Sequence, residues 1–176
     1  KPSSAASDVY KRQMQWWKEQ RQAPSHEDDM LNNTAPFLQK ALSTEGLASM
    51  DYQAFHDVCN GVHAIVDYSR RVSNKAVGLP EKKSGYTIPE KVAALSQRIW
   101  NDQSSGGVRV PELFRHILYG GSNEQLPERL WEAMVEPKWK IDGLGVSALG
   151  ELVGWALPDR FPPRNGRTSK ALRSLG

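Results

Sequence analysis

Near the end of this chain, glycine, lysine and serine fall in an order that suits anion capture. In the stretch K-I-D-G-L-G-V-S, from Lys140 to Ser147, Gly143 and Gly145 bracket one apolar residue, Leu144. Glycines so placed permit a tight bend with positive φ and let another backbone approach closely. Val146 to Leu157 continue in a helical pattern, with Leu149, Leu152, Val153 and Ala156 facing inward. The free N–H groups at the start of such a helix fit a phosphate. Ser147 adds a hydroxyl in the first turn, and Lys138 and Lys140 stand just before the bend. Farther on, Arg164 is followed by Arg167, Lys170 and Arg173, three apart and able to share one helical face. That stripe would track phosphates with salt-dependent, largely sequence-independent affinity. The same spacing also describes a solvated outer face opposite Ala171, Leu172 and Leu175.

Other constellations carry less. His56, Cys59 and His63 lie on one predicted helix, with His26 and His116 elsewhere. Ligands spread over two turns span about 10 Å, too far for one ion. Cys59 sits in an apolar stripe, where a thiol acts as a small hydrophobe. No metal or other cofactor is expected. Hydrolase chemistry finds no nucleophile elbow, and GGVRVPE lacks the Lys-Ser/Thr ending of a phosphate loop. Of the six tryptophans, Trp139 and Trp155 are nearest the glycine bend and could stack on bases. Trp155, three residues from Leu152, reads more simply as core, and Trp16–Trp17 as an anchor for a helix expected from Asp8 to before Pro24, or as a contact with a further domain.

The elements that must hold these residues are helical. Asp51 to Val72 is the clearest helix, with Tyr52, Phe55, Val58, Cys59, Val62, Ile65 and Val66 at three- and four-residue spacing and Asp51 as cap. Pro36, Pro89 and Pro127 suit the first turns of further helices, and Gly120–Gly121 end another. SNKAVGLPEKKSGYT reads as a loop and NDQSSGGVR as a flexible connector. No period-2 strand and no internal repeat is present. The prediction is an all-α protein of seven to nine helices, organised as residues 1–100 and 101–176 or as one continuous domain. A boundary would fall at 73–88 or 101–109.

The bulk numbers fit that picture. The chain has 176 residues, 39% hydrophobic and 24% charged, with a net charge of +3. Lys138 to Gly176 hold seven Lys/Arg against three Asp/Glu, so the basic surplus lies around the bend. One cysteine excludes an internal disulfide. No apolar run approaches the ~18 residues of a membrane span, and the first residues lack the pattern of a secretory signal. These features predict an intracellular protein, cytoplasmic or nucleoid/nuclear, with no membrane partner. A start at Lys1 suits a piece of a longer chain, with further domains or a protein partner beside it.

Apolar–x–Gly–apolar–Gly followed by a helix resembles the helix-hairpin-helix motif that grips a DNA backbone. The likeness extends over about 36 residues, Ile141 to Gly176, to the helix-hairpin-helix DNA glycosylase superfamily that includes the endonuclease III type. In that family a loop after the hairpin helix carries a catalytic aspartate, and here the position falls on Asn165 in FPPRNGRT. Members that also cleave the backbone place a lysine where this chain has Ser147. Asparagine takes no proton and carries no charge at neutral pH, and serine forms no Schiff base. Asn165 before Gly166 is also good turn chemistry. The resemblance therefore implies a DNA-binding, non-catalytic relative, working in DNA repair or defence. Its contacts would come from Lys140, Gly143, Leu144, Gly145, Val146, Ser147, Arg164, Arg167, Lys170 and Arg173. Two alternatives stand beside it. One is an active glycosylase-like enzyme in which Asn165, Asp142 or Asp159 replaces the acid. The other is a scaffolding module whose hairpin is only structural.

Overall fold

The computed structural model describes residues 11–12, 15–16, 19, 29–81 and 84–162. A π-helical turn, Met30–Thr34, leads into α1 (Ala35–Ala41), followed by α2 (Thr44–Ala48), α3 (Tyr52–Gly61) and α4 (His63–Arg71). After a 3₁₀ turn at Lys75–Val77 come α5 (Ile88–Asn101) and α6 (Val110–Tyr119). A second 3₁₀ turn, Asn123–Gln125, precedes α7 (Leu126–Val135) and α8 (Val146–Ala156). No strand occurs among the described residues, so the fold is all-α.

Helix starts follow local chemistry. The Asp51 carboxylate accepts from the Ala54 N–H at 2.8 Å, and Ser43 Oγ accepts from the Gly46 N–H at 3.0 Å. Thr87 and Glu90 close a reciprocal capping box at α5, with Pro89 in the first turn.

The segment expected as one helix from Asp51 to Val72 is two. Val62 is extended, with φ −92° and ψ 105°, and the helix restarts at His63. Val62 offers no side-chain cap, yet the new N-terminus is satisfied from a distance. Glu151 on α8, 2% exposed, accepts from the His63 N–H at 2.7 Å and the Ala64 N–H at 2.9 Å. The positive end of α4 thus meets the buried carboxylate that would otherwise be costly to desolvate.

One hydrophobic cluster runs from Leu38 to Val153 and includes Phe55, Leu95, Ile99, Phe114 and Leu149, all fully buried. α5 lies at its centre against α3 and α4, while α8 packs on α1 and α4. α6 packs between α2 and α7. Arg129 of α7, 5% exposed, fastens the end of α6: its Nε donates to the Ile117 carbonyl at 3.1 Å and its Nη1 to the Ser122 carbonyl at 3.0 Å.

The connector read as flexible is pinned instead. Buried Ser104 donates its hydroxyl to the Lys138 carbonyl and accepts from the N–H groups of Gly106 and Val108 at 3.2 and 3.1 Å. The Ser105 N–H donates to the Pro137 carbonyl at 3.1 Å. A Cβ on Gly106 would stand 2.7 Å from the Lys138 carbonyl oxygen, so glycine serves close approach here, not mobility. Among the described residues, no helix is long and apolar enough to cross a membrane.

Candidate nucleic-acid interface

The glycine bend is a β-turn closed by the Leu144 N–H on the Ile141 carbonyl at 3.3 Å. Gly143 takes the third position with φ +98°, a left-handed value that favours glycine. Its missing side chain also matters, since a Cβ there would lie 3.0 Å from Cγ1 and Cδ1 of Ile99. Ile141 and Leu144, 2% and 4% exposed, plug both arms of the turn into the core. The bend is therefore fixed by packing from below.

Gly145 differs. It is the N-cap of α8, extended at φ −90° and ψ 179°, and a Cβ there would meet nothing within 4 Å. It has no side chain to cap the helix, so the first-turn amides at Val146, Ser147 and Ala148 face away from any intrahelical acceptor. Val146 is 63% exposed and Ser147 half-buried. Ahead of the turn, the N–H groups of Trp139 and Lys140 both donate to the Glu136 carbonyl at 2.9 Å, making a single hydrogen-bonded turn.

The bend opens on a cavity of about 470 Å³. Lys140, Gly143, Leu144, Gly145, Val146 and Ser147, expected from the sequence to act together, all line it. Leu144 contributes from its backbone side, because its side chain points into the core. The opposite wall comes from Tyr68 and Arg71 at the end of α4. Arg71 is exposed and ties its Nε to the Asp67 carbonyl at 3.2 Å, which leaves the outer N–H groups of the guanidinium to face an anion. Asp142 shares the rim, 70% exposed and 3.9 Å from Arg98 of α5. Arg71 and Tyr68 were not legible as site residues. They lie some seventy positions upstream, and a basic pair at a helix end is ordinary dipole chemistry. Arg164, Asn165, Arg167, Lys170 and Arg173 lie outside the described residues. Asp159 is an exposed turn residue after α8.

The aromatic candidates are engaged. Trp139 lies parallel to the His116 ring, centroids 3.7 Å apart and planes 4° from coplanar, with Lys138 Nζ 5.1 Å from its centroid. Trp155 is half-buried and directs its indole N–H at Glu151, 3.4 Å away. His116 also approaches Glu132 at 3.2 Å. Burial holds the His116 pKa below its ordinary value; Glu132 opposes that shift, while Arg129 and Lys138 add to it.

The histidine–cysteine row separates into packing roles. His56 Nδ1 pairs with Ser96 Oγ at 2.9 Å across the α3–α5 interface, and His63 lies 3.3 Å from Asp67 on its own helix. Cys59 is fully buried, and burial pushes its thiol pKa far up. Among the described residues no three His, Cys, Asp or Glu side chains gather as a metal site. No family model, no curated protein and no solved structure matches the chain.

Proposed function

We propose that the chain binds DNA through its phosphate backbone, as a non-catalytic module of helix-hairpin-helix type. One observation carries the reading: the glycine bend, the uncapped start of α8, Lys140 and Arg71 all converge on one open cavity. Helix-start amides supply directional donors, and the two cations supply charge at the same place. Neither requires a particular base, so the expected binding is weakly selective for sequence. Ser147 and Asn165, which stand where the resembling family keeps its reactive side chains, add hydrogen bonds and no acid or nucleophile. The basic residues from Arg164 to Arg173 would extend the contact along the strand.

A gel-shift titration with a short duplex, repeated across salt concentrations, tests this. Each phosphate contact contributes about −0.9 to the slope of log K against log salt. Lys140→Ala and Arg71→Ala should each make that slope shallower by about one unit. Absence of any shift at low salt, or a slope that both variants leave unchanged, would overturn the proposal.

A further inference from the structure

The exposed side of α7 suits a different partner. On α7, Trp131 is 62% exposed and Val135 43% exposed. The two are four residues apart, and Glu128 precedes Trp131 by three, so all three share one face of the helix. Large apolar side chains displayed together and ringed by charge are typical of contact surfaces, and tryptophan is enriched among their anchors.

Along α7 itself the exposed charge is negative, with Lys138 and Lys140 following just beyond Pro137. From Ser122 to Pro137 the sequence holds Glu124, Glu128, Glu132 and Glu136 and a single cation, Arg129. Arg129 is buried and committed to the carbonyls of α6. Glu124 feels the positive charge of Arg160, and Glu132 engages His116. Glu128 and Glu136 have no cationic partner among the described residues and are exposed. DNA and anionic lipid surfaces are repelled by such a rim. A second copy meeting this face symmetrically would set carboxylate against carboxylate.

We propose that this face of α7 docks a cationic amphipathic helix of another protein, with an apolar row over Trp131 and Val135 and Lys or Arg side chains against Glu128 and Glu136. Helix-on-helix recognition of this kind takes affinity from the buried anchors and orientation from the complementary rim. The surface adjoins the phosphate grip, since Met134 of the same helix lines the cavity, but Trp131 and Glu128 take no part in that lining.

The probe is a synthetic amphipathic helix of leucine and lysine, titrated into the ¹⁵N-labelled chain while the tryptophan indole signals are followed by NMR. The Trp131 indole, identified from its loss in Trp131→Ala, should shift most. Trp131→Ala should weaken binding by about tenfold or more, and Glu128→Lys should weaken it in a salt-dependent way. Both residues are exposed, so both variants should melt like the parent protein. Lys140→Ala and Arg71→Ala should bind the peptide unchanged, which separates failure here from failure of the DNA reading. Equal affinity of Trp131→Ala and the parent would overturn the proposal. So would equal binding of a leucine–glutamate peptide. Sedimentation in which Trp131→Ala turns an oligomer into a monomer would also overturn it, by assigning the face to a second copy.

Discussion

Replacing the two glycines of the bend one at a time should separate stability from DNA affinity. At Gly143 alanine must adopt a left-handed backbone, at φ +98°, with its Cβ 3.0 Å from two atoms of Ile99. The backbone term costs about 1–2 kcal/mol. Ile99 is fully buried and can move little, so overpacking adds about 1–3 kcal/mol. Gly143→Ala should therefore lower Tm by roughly 4–20 °C, at about 2–4 °C per kcal/mol for a chain of this size. Gly145 behaves oppositely. Its backbone is extended and the space beside it is empty. Aspartate there can accept from the amides one turn into α8, a better cap than glycine and a favourable charge at the helix start. Together these stabilise by about 0.5–1 kcal/mol. The same carboxylate occupies the amides offered to phosphate and sets a like charge about 5 Å from it. At an effective dielectric of 20–80 that repulsion is about 1–3 kcal/mol, roughly a 5- to 150-fold loss of affinity. The assay pairs a thermal melt with a low-salt gel shift on each variant. Gly145→Asp should melt at or above the parent temperature and bind DNA worst. If it binds like the parent protein, the amides of α8 are not the grip. If it unfolds the protein, the description of that site as open is wrong.

Further outcomes follow from the buried polar groups. Glu151→Ala strips two charge-assisted hydrogen bonds from α4 and leaves both half-buried amides without their acceptor. The expected loss is about 2–4 kcal/mol in urea unfolding, with faster hydrogen exchange at His63 and Ala64. Unchanged exchange at those two amides would refute the capping role. His116 has a folded pKa below its unfolded value of about 6.5. Its contribution to stability is therefore present above that value and is lost as pH falls through and below it. Urea midpoints measured across the acid range should show this loss in the parent protein and not in His116→Gln. Parallel profiles would sink the assignment.

Much of the architecture was legible because its causes are local. Asp51 marks a helix start by a bond that spans three residues, and the early prolines mark others by their fixed φ. The glycine bend could be read for the same reason, since Lys140 through Ser147 are contiguous and one turn presents them together. What escaped depends on distant partners. An apolar stripe from Tyr52 to Val66 has no period change at Val62. The break is sustained by a carboxylate on α8, although Asn60–Gly61 was a local hint of it. Ser104 looked like part of a flexible run, and only the Lys138 carbonyl makes it a fastener. Arg71 enters the cavity because α4 ends there, a matter of packing that spacing along the chain cannot express.

The bond from Glu151 to the start of α4 joins residues 88 and 87 positions apart. At about 5–20 residues per second, a ribosome needs roughly 4–18 s to cross that separation. Through that interval the nascent α4 begins with bare amides and an exposed apolar flank. A message truncated before the codon for Glu151 yields a product that never acquires its clasp, and such a product is matter for chaperones and proteases.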